Sequence, residues 1–487
     1  MKKISIIKLN IIFAILIVLV SCSDDFLDLK PQSDVVSGSF TSAQDAENLL
    51  TGAYSTIGAY YQYNRYYLTE GISDNHYVNG DNPTEMTFEN FSFDAATGVL
   101  QEAYVALYNQ IAAANTVLDN VSVIEDSKWD GTTRKEQILG EASFLRAISY
   151  YELVTQWGGV PIFTSLLNDG NLYPERNTEA EVYDQIITDL IYAENVLLTT
   201  PYENEFGRAT KGSAQALLAK TYAQIGDYNN CLTYANKVIE SGVYSLVSDF
   251  SNVWGMANKN NTESIFDVQQ GGTTGWWGFQ IFAYAAGDGW PKRQICSADL
   301  VRAFQTAGDT IGSRYTTTFN WQIANASFNM PVNAWDPEQE IPFQGKYAPG
   351  GWFSQDNIRI IRLADIILLA AEANVQLNNL SAATILLNQI RSRAGLDSTS
   401  ASSKSELALA VLNERRLELV FECTRWNDLK RADASGVVSV VDVINEQLDS
   451  NGKSLGYTMD DDKHQLIYPI PNQDRLLNKN LTQNPGY

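Results

Sequence analysis

Apolar positions recur along most of this chain at three- and four-residue spacing, the period that turns one face of a helix toward a core. Between Thr41 and about Tyr61 these positions are Ala46, Leu49, Leu50, Ala53, Tyr54 and Ile57, with Thr41 or Ser42 as the capping hydroxyl. Val99 to Val121 predicts a second long helix through Tyr104, Leu107, Tyr108, Ile111 and Val117. A third runs from about Arg134 to Trp157, where Gly158-Gly159 and then Pro161 supply stop signals. Thr178 caps a fourth, with Val182, Ile186, Leu190, Ala193 and Leu197 on one face.

The clearest repeated unit is Ala214 to Gly242, where Leu218, Ala219, Tyr222, Cys231, Ala235 and Val238 flank a Gly226-Asp227-Tyr228 turn. Large and small residues alternate there as in a tetratricopeptide helix–turn–helix. Arg362 to Arg393 repeats the idea around Asn378-Asn379, and 99–157 and 177–224 read as further, weaker pairs. Stacked pairs bury a continuous core and present a curved face, an architecture suited to binding. The fold class expected is therefore mainly α, a tetratricopeptide-like hairpin scaffold with a loop-rich ligand-binding half. The scaffold covers about 41–61, 99–242 and 359–450. The loop-rich half covers about 62–98 and 243–358, where helical spacing fails.

That second stretch holds Trp276-Trp277, Gly287-Asp288-Gly289-Trp290, Trp321, Trp335 and Gly350-Gly351-Trp352. Long irregular segments in a compact protein are more often functional than accidental. The hydrophobic content of 45% is spread evenly and no Pro- or Ser-rich linker divides the chain, so residues 41–487 read as one domain.

Residues 1–21 read as an export signal. Lys2, Lys3 and Lys8 precede an apolar run from Ile11 to Val20, too short to span a hydrocarbon core of roughly 30 Å. The run closes on Leu19-Val20-Ser21-Cys22, a lipobox-like end after which Cys22 becomes an acylated first residue. An ordinary secretory signal containing a cysteine is the alternative. Acyl chains on Cys22 would anchor the chain in outer-membrane lipid without a spanning helix. Residues 22–40 then form an acidic tether. Ser23-Asp24-Asp25 resembles a signal for export to the cell exterior, and otherwise is a solvated linker.

Losing three lysines with the signal takes the formal charge from −23 to about −26. So acidic a surface repels phosphate backbones, which excludes a nucleic-acid partner and suits a neutral ligand. With Cys22 set aside, Cys231, Cys296 and Cys423 are too few for a disulfide framework and contain no CxxC pair. Cys231 and Cys423 fall in helical patterns and read as small buried hydrophobes. Two histidines, His76 and His464, give little support for a metal site or a His-based triad, and no cofactor is expected. Tyrosine and tryptophan are abundant at 25 and 10 residues, as a sugar-stacking surface would require.

Several segments together resemble the SusD/RagB family of outer-membrane glycan-binding lipoproteins. They begin with Cys22-Ser23-Asp24-Asp25-Phe26-Leu27 and Gly140-Glu141-Ala142-Ser143-Phe144-Leu145-Arg146-Ala147, followed by Gly159-Val160-Pro161. Arg208-Ala209-Thr210-Lys211-Gly212, Arg362-Leu363-Ala364-Asp365 and Glu414-Arg415-Arg416-Leu417-Glu418-Leu419 come next. Arg425-Trp426-Asn427-Asp428-Leu429-Lys430-Arg431, Ile470-Pro471 and Asn484-Pro485-Gly486-Tyr487 complete the series. The resemblance implies about four tetratricopeptide-like pairs against a loop-rich half. It also implies a SusC-like TonB-dependent outer-membrane barrel as partner, and no catalysis. Its ligand residues lie in variable loops outside these motifs, so the candidates come from chemistry alone.

A pyranose offers a face of C–H groups and a rim of hydroxyls, so its site needs flat aromatic surfaces and a few orienting polar groups. Trp276 and Trp277 follow Gly275, and Trp290 sits between Gly289 and Pro291, with Tyr284, Asp288 and Arg293 nearby. Tyr77 and Asn79 form a second group. Tryptophans also plug loops onto helices, so the cluster is the candidate more than any single ring. Trp352 and Phe353 precede a helix and read as packing.

Arg146, Glu141, Arg362, Asp365, Glu414, Arg415, Arg416 and Glu418 lie among apolar neighbours and read as internal ion pairs and helix–loop hydrogen bonds. A glycosidase needs two carboxylates facing across a cleft, and a chain this acidic always offers some pair. Asp460-Asp461-Asp462 matches no spaced calcium loop and reads as a solvated turn. The leading function is capture of an oligo- or polysaccharide and its delivery to a transporter. A peptide-binding protein of the same fold and a surface glycoside hydrolase are the alternatives.

Overall fold

In a computed structural model, which describes residues 40–78, 83–166, 170–271, 294–323, 335, 340–347 and 356–487, the first apolar run becomes helix α1 (Ala43–Thr56). Ser42 and Asp45 bond each other's backbone in a capping box, so Ser42 is the cap. Short helices α2 (Gly58–Tyr61), α3 (Asn64–Thr69) and α4 (Pro83–Glu89) follow, with strand β1 (His76–Val78) before α4. The long helices are α5 (Gly98–Val123), α6 (Arg134–Trp157) and α7 (Glu179–Val196). Helix α6 has the bounds that the periodicity predicts and stops at Gly158, whose φ of 71° ends the helical path. Thr178 caps α7 together with Glu181.

The best-marked hairpin is α8 (Lys211–Gln224) and α9 (Tyr228–Ile239), joined through Gly226 with Asp227 as cap. After it come β2 (Ser264–Val268), β3 (Gln294–Cys296), α10 (Ala298–Ala307), α11 (Ser313–Thr318), β4 (Phe319–Ile323), β5 (Glu340–Gln344) and β6 (Ile358–Arg362). The second predicted hairpin is α12 (Leu363–Gln376) and α13 (Leu380–Arg393), and α14 (Lys404–Leu419), α15 (Arg425–Ala434), α16 (Val440–Asn445) and α17 (Asn472–Leu477) close the chain. No described helix is long and apolar enough to cross a membrane.

Each long helix lies against its successor. Contacts run α1–α5, α5–α6, α6–α7, α7–α8, α8–α9, α9–α12, α12–α13 and α12–α14, which stacks the hairpins around one continuous core. Close approach matters at Gly140 of α6, where a Cβ would come within 2.4 Å of Val196 Cγ2 on α7. Alanine there would push the two helices apart.

The loop-rich half contains more regular structure than its spacing predicts. Strands pair antiparallel as β1–β3, β2–β6 and β4–β5. They are three to five residues long, and β6 is buried at every position, so no apolar–polar alternation marks them. Two satellite clusters seat this half on the scaffold: one gathers Leu300, Phe304 and Phe319 with Leu417 and Phe421 at the end of α14, the other Tyr77, Ile295, Ala298, Ile341 and Phe343. Cys231, Cys296 and Cys423 are free thiols and buried. Cys423 is not helical as expected. It lies between α14 and α15 at φ 61°, on a turn that also puts Phe421 at φ 66°.

Candidate functional site

Sheet β1–β3 carries Tyr77, the one predicted ligand residue among the described residues. Its register pairs His76 with Cys296, Tyr77 with Ile295 and Val78 with Gln294. Antiparallel pairing sets Val78, at the end of β1, beside Gln294, at the start of β3. Asn79, Trp276, Trp277, Tyr284, Asp288, Trp290 and Arg293 lie outside the described residues, as do Trp352, Phe353 and the acylation candidate Cys22.

Tyr77 is described, and it is 2% exposed. Its ring packs with Ile295, Ala298, Ile341 and Phe343, while its hydroxyl donates to Leu448 O at 2.7 Å and accepts from Ala298 N at 3.2 Å. That places it beneath the sheet as a support. Trp321 and Trp335 are half-buried and meet edge to face at 5.9 Å, and Trp335 Nε1 donates to Cys296 O.

Buried charges hold the base of this sheet to α14 and α15. Arg425 grips both oxygens of Asp74 at 2.7 and 2.8 Å, and Arg416 reaches Asp74 O and Asn75 Oδ1. Against the burial that would raise it, these two guanidiniums bring the Asp74 carboxyl down to about 2. Ser297 ties the same turn to α10 through Asp74 O and Asn75 O. Glu89 accepts from Val78 N and from the Tyr457 hydroxyl, and burial raises its carboxyl to about 8. Burial takes His76 down to about 3, so its ring is neutral at ordinary pH. It pushes the Cys423 thiol up to about 12. Neither group is poised for acid–base or nucleophilic work.

Asp460, Asp462 and His464 bring ligand atoms within 4.8 Å of one another. Asp462 already accepts from His464 N at 3.0 Å and lies 2.6 Å from His464 Nδ1, which leaves the group a hydrogen-bonded surface turn.

Residues 341–487 match the model of the SusD family, and residues 25–223 match a second model described as starch-binding associating with outer membrane. The chain belongs to the SusD family. SusD-like protein P38 of Formosa agariphila is 26% identical to it over 100% of both chains. A SusD-like protein from Bacteroides fragilis shares the fold with a TM-score of 0.76 at 22% identity, covering 93% of this chain and 99% of the other. A laminarin-binding SusD-like protein gives 0.73 at 24% identity, covering 92% and 100%. SusD-like proteins are glycan-binding proteins associated with the outer membrane rather than enzymes.

The motifs that carry the SusD resemblance turn out to be scaffold. Arg146 on α6 grips Asp189 of α7 at 2.7 and 2.8 Å and also reaches Asn115 of α5. Glu141 accepts from Arg134, Tyr54 and Arg208. Asp365 bridges Lys220 and Arg415, which hold its carboxyl far below the usual range despite burial. Arg362 and Arg393 both pair with Glu418 and Glu263, and Arg314 joins Glu418 to Glu414 and Asp309. The internal ion pairs expected from sequence are present, with most of their partners outside the motifs themselves.

Proposed function

We propose that this chain is a surface lipoprotein, acylated at Cys22 and facing the cell exterior, that captures an oligo- or polysaccharide and passes it to a SusC-like TonB-dependent barrel. The observation that supports this reading is likeness over the whole chain to SusD-like proteins. Trp276, Trp277 and Trp290 would stack on sugar rings, with Tyr284, Asp288, Arg293 and Asn79 orienting the hydroxyls. Tyr77 would act from below, by holding β1. Tethering beside the transporter raises the local ligand concentration, so moderate affinity suffices.

Isothermal titration of the purified mature chain against a glycan panel tests the reading, with Trp276→Ala and Trp277→Ala alongside. The expected result is binding without any change in glycan chain length and a loss of at least tenfold in one variant. Unchanged affinity in both removes these rings from the site, and new reducing ends would make the protein a hydrolase.

A further inference from the structure

A cleft of about 470 Å³ lies between α1, β2 and the turn at 205–208. A second, of about 230 Å³, adjoins it. The two share Phe206, Gly207, Arg208, Phe266, Asp267 and Gln269 as lining, so the Phe206 turn stands as a wall between them. The larger falls within the roughly 300–1,000 Å³ typical of small-ligand sites.

The wall is built at a conformational cost. Glu203 and Asn204 both adopt positive φ, at 50° and 58°, and Gly207 follows at 95°. Only glycine fits at 207, because a Cβ there would come 2.4 Å from Gln269 Cγ. What this backbone presents is Phe206, 58% exposed, a large apolar ring kept in water. Strained backbone persists where the surrounding structure enforces it, often around ligands.

The rest of the described lining mixes apolar side chains, among them Ile57, Phe266 and Val268, with polar ones. Thr51 and Ser55 contribute hydroxyls from the exposed face of α1, and Gln62 and Gln270 contribute amides, while the Gln269 amide is taken up by Asn260 and Asn357. Glu205 is paired with Arg208, which also reaches Glu141 and Glu47. With its guanidinium so committed, the cleft has no free cation among its described lining residues to attract an anion. Asp267 is 3% exposed, with Ser264 donating to its Oδ2 at 3.0 Å. An exposed ring beside amides and hydroxyls matches the C–H face and hydroxyl rim of a sugar better than it matches an ion.

We infer that this cleft is a second carbohydrate subsite, in which a pyranose of a neutral glycan stacks on Phe206 and is oriented by Gln62 and Gln270. The inference rests on the glycan-capture reading and adds a contact made by residues other than the tryptophans assigned to it. A chain with two separated footholds retains a long glycan better than a short one, because the second contact is intramolecular once the first is made.

Isothermal titration of the mature chain with laminarihexaose, maltohexaose, xylohexaose and mannohexaose, and with the matching polymers, tests it. The variants are Phe206→Ala, Gln62→Ala and the double Trp276→Ala/Trp277→Ala, with melting curves confirming that each folds. Phe206→Ala and Gln62→Ala are each expected to weaken polymer binding at least fivefold. Glycan should also slow amide hydrogen exchange across 199–210 and 264–271 in the unaltered chain. Full binding by both cleft variants, with no protection of those segments, overturns the subsite while leaving the tryptophan site standing if the double variant fails to bind. Failure of the unaltered chain to bind any of the glycans overturns both readings together.

Discussion

Arg362 has five N–H donors, and all five are used. Glu422 takes two at 2.6 and 2.8 Å, Glu418 takes one on its carboxylate and one on its carbonyl at 2.7 and 2.9 Å, and Glu263 takes the last at 3.0 Å. Burying such a charge is tolerable only with this degree of satisfaction, and removing one partner of a buried pair typically costs about 3–5 kcal/mol. Glu89 and Glu70 are buried differently, with hydrogen bonds but no ion pair among the described residues. Burial raises Glu89 to about 8, with the Glu85 charge adding to it and the bonds from Tyr457 and Val78 opposing it. It raises Glu70 to about 7 against bonds from Asn75 and the Phe421 amide. In the unfolded chain both release their protons near 4.5. The folded state therefore holds protons that the unfolded state has lost, so this contribution to stability is complete below about 4.5 and disappears as pH rises to about 8. Glu89→Gln removes the titration, keeping one oxygen to accept from Val78 N while its amide nitrogen donates to the Tyr457 hydroxyl. Its melting temperature is expected to match the unaltered chain at pH 5 and exceed it at pH 8.5. Parallel curves across that range would show that Glu89 ionises normally.

At the scale of elements, the sheet β1–β3 is too short to stand on its own pairing, since isolated two-stranded ribbons are marginal in water. Side chains beneath it supply the order. Tyr77→Phe removes the bridge from Leu448 O to Ala298 N and is expected to cost about 1–3 kcal/mol in denaturant unfolding with little effect on glycan affinity. Tyr77→Ala also leaves a cavity, a loss of about 3–5 kcal/mol for a large aromatic, and is expected to weaken glycan binding through the loosened sheet. Affinity unchanged in the alanine variant would mean that the sheet does not order the site. The helices were legible because their signals are local: α6 shows a period, a start and a Gly-Gly stop within one window. The strands were not, because β6 carries Arg359 and Arg362 at buried positions and the burial of Arg362 makes sense only once Glu263, Glu418 and Glu422 arrive from elsewhere. Tyr77 was misleading for the same reason, as its burial depends on β3 and on Leu448, far along the chain. Phe206 passed unnoticed in a connection between helices, where sequence does not reveal that Glu203 and Asn204 take left-handed backbone.

Across the whole molecule, charge separates a sugar ligand from a peptide. The chain carries a formal charge of −23, while many of its arginines are consumed in internal pairs, which leaves an acidic exterior. Such a surface would draw in a basic peptide by long-range attraction, and that attraction would fade as the screening length drops from about 30 Å at 0.01 M salt to about 3 Å at 1 M. A neutral glycan feels none of it. Binding to rings and amides depends on contact and desolvation, and raising salt leaves these nearly untouched. Affinity for a neutral polysaccharide is therefore expected to change less than twofold between 0.02 and 0.5 M sodium chloride, measured by titration at fixed pH. A tenfold fall over that range would point instead to a cationic ligand held by the acidic exterior.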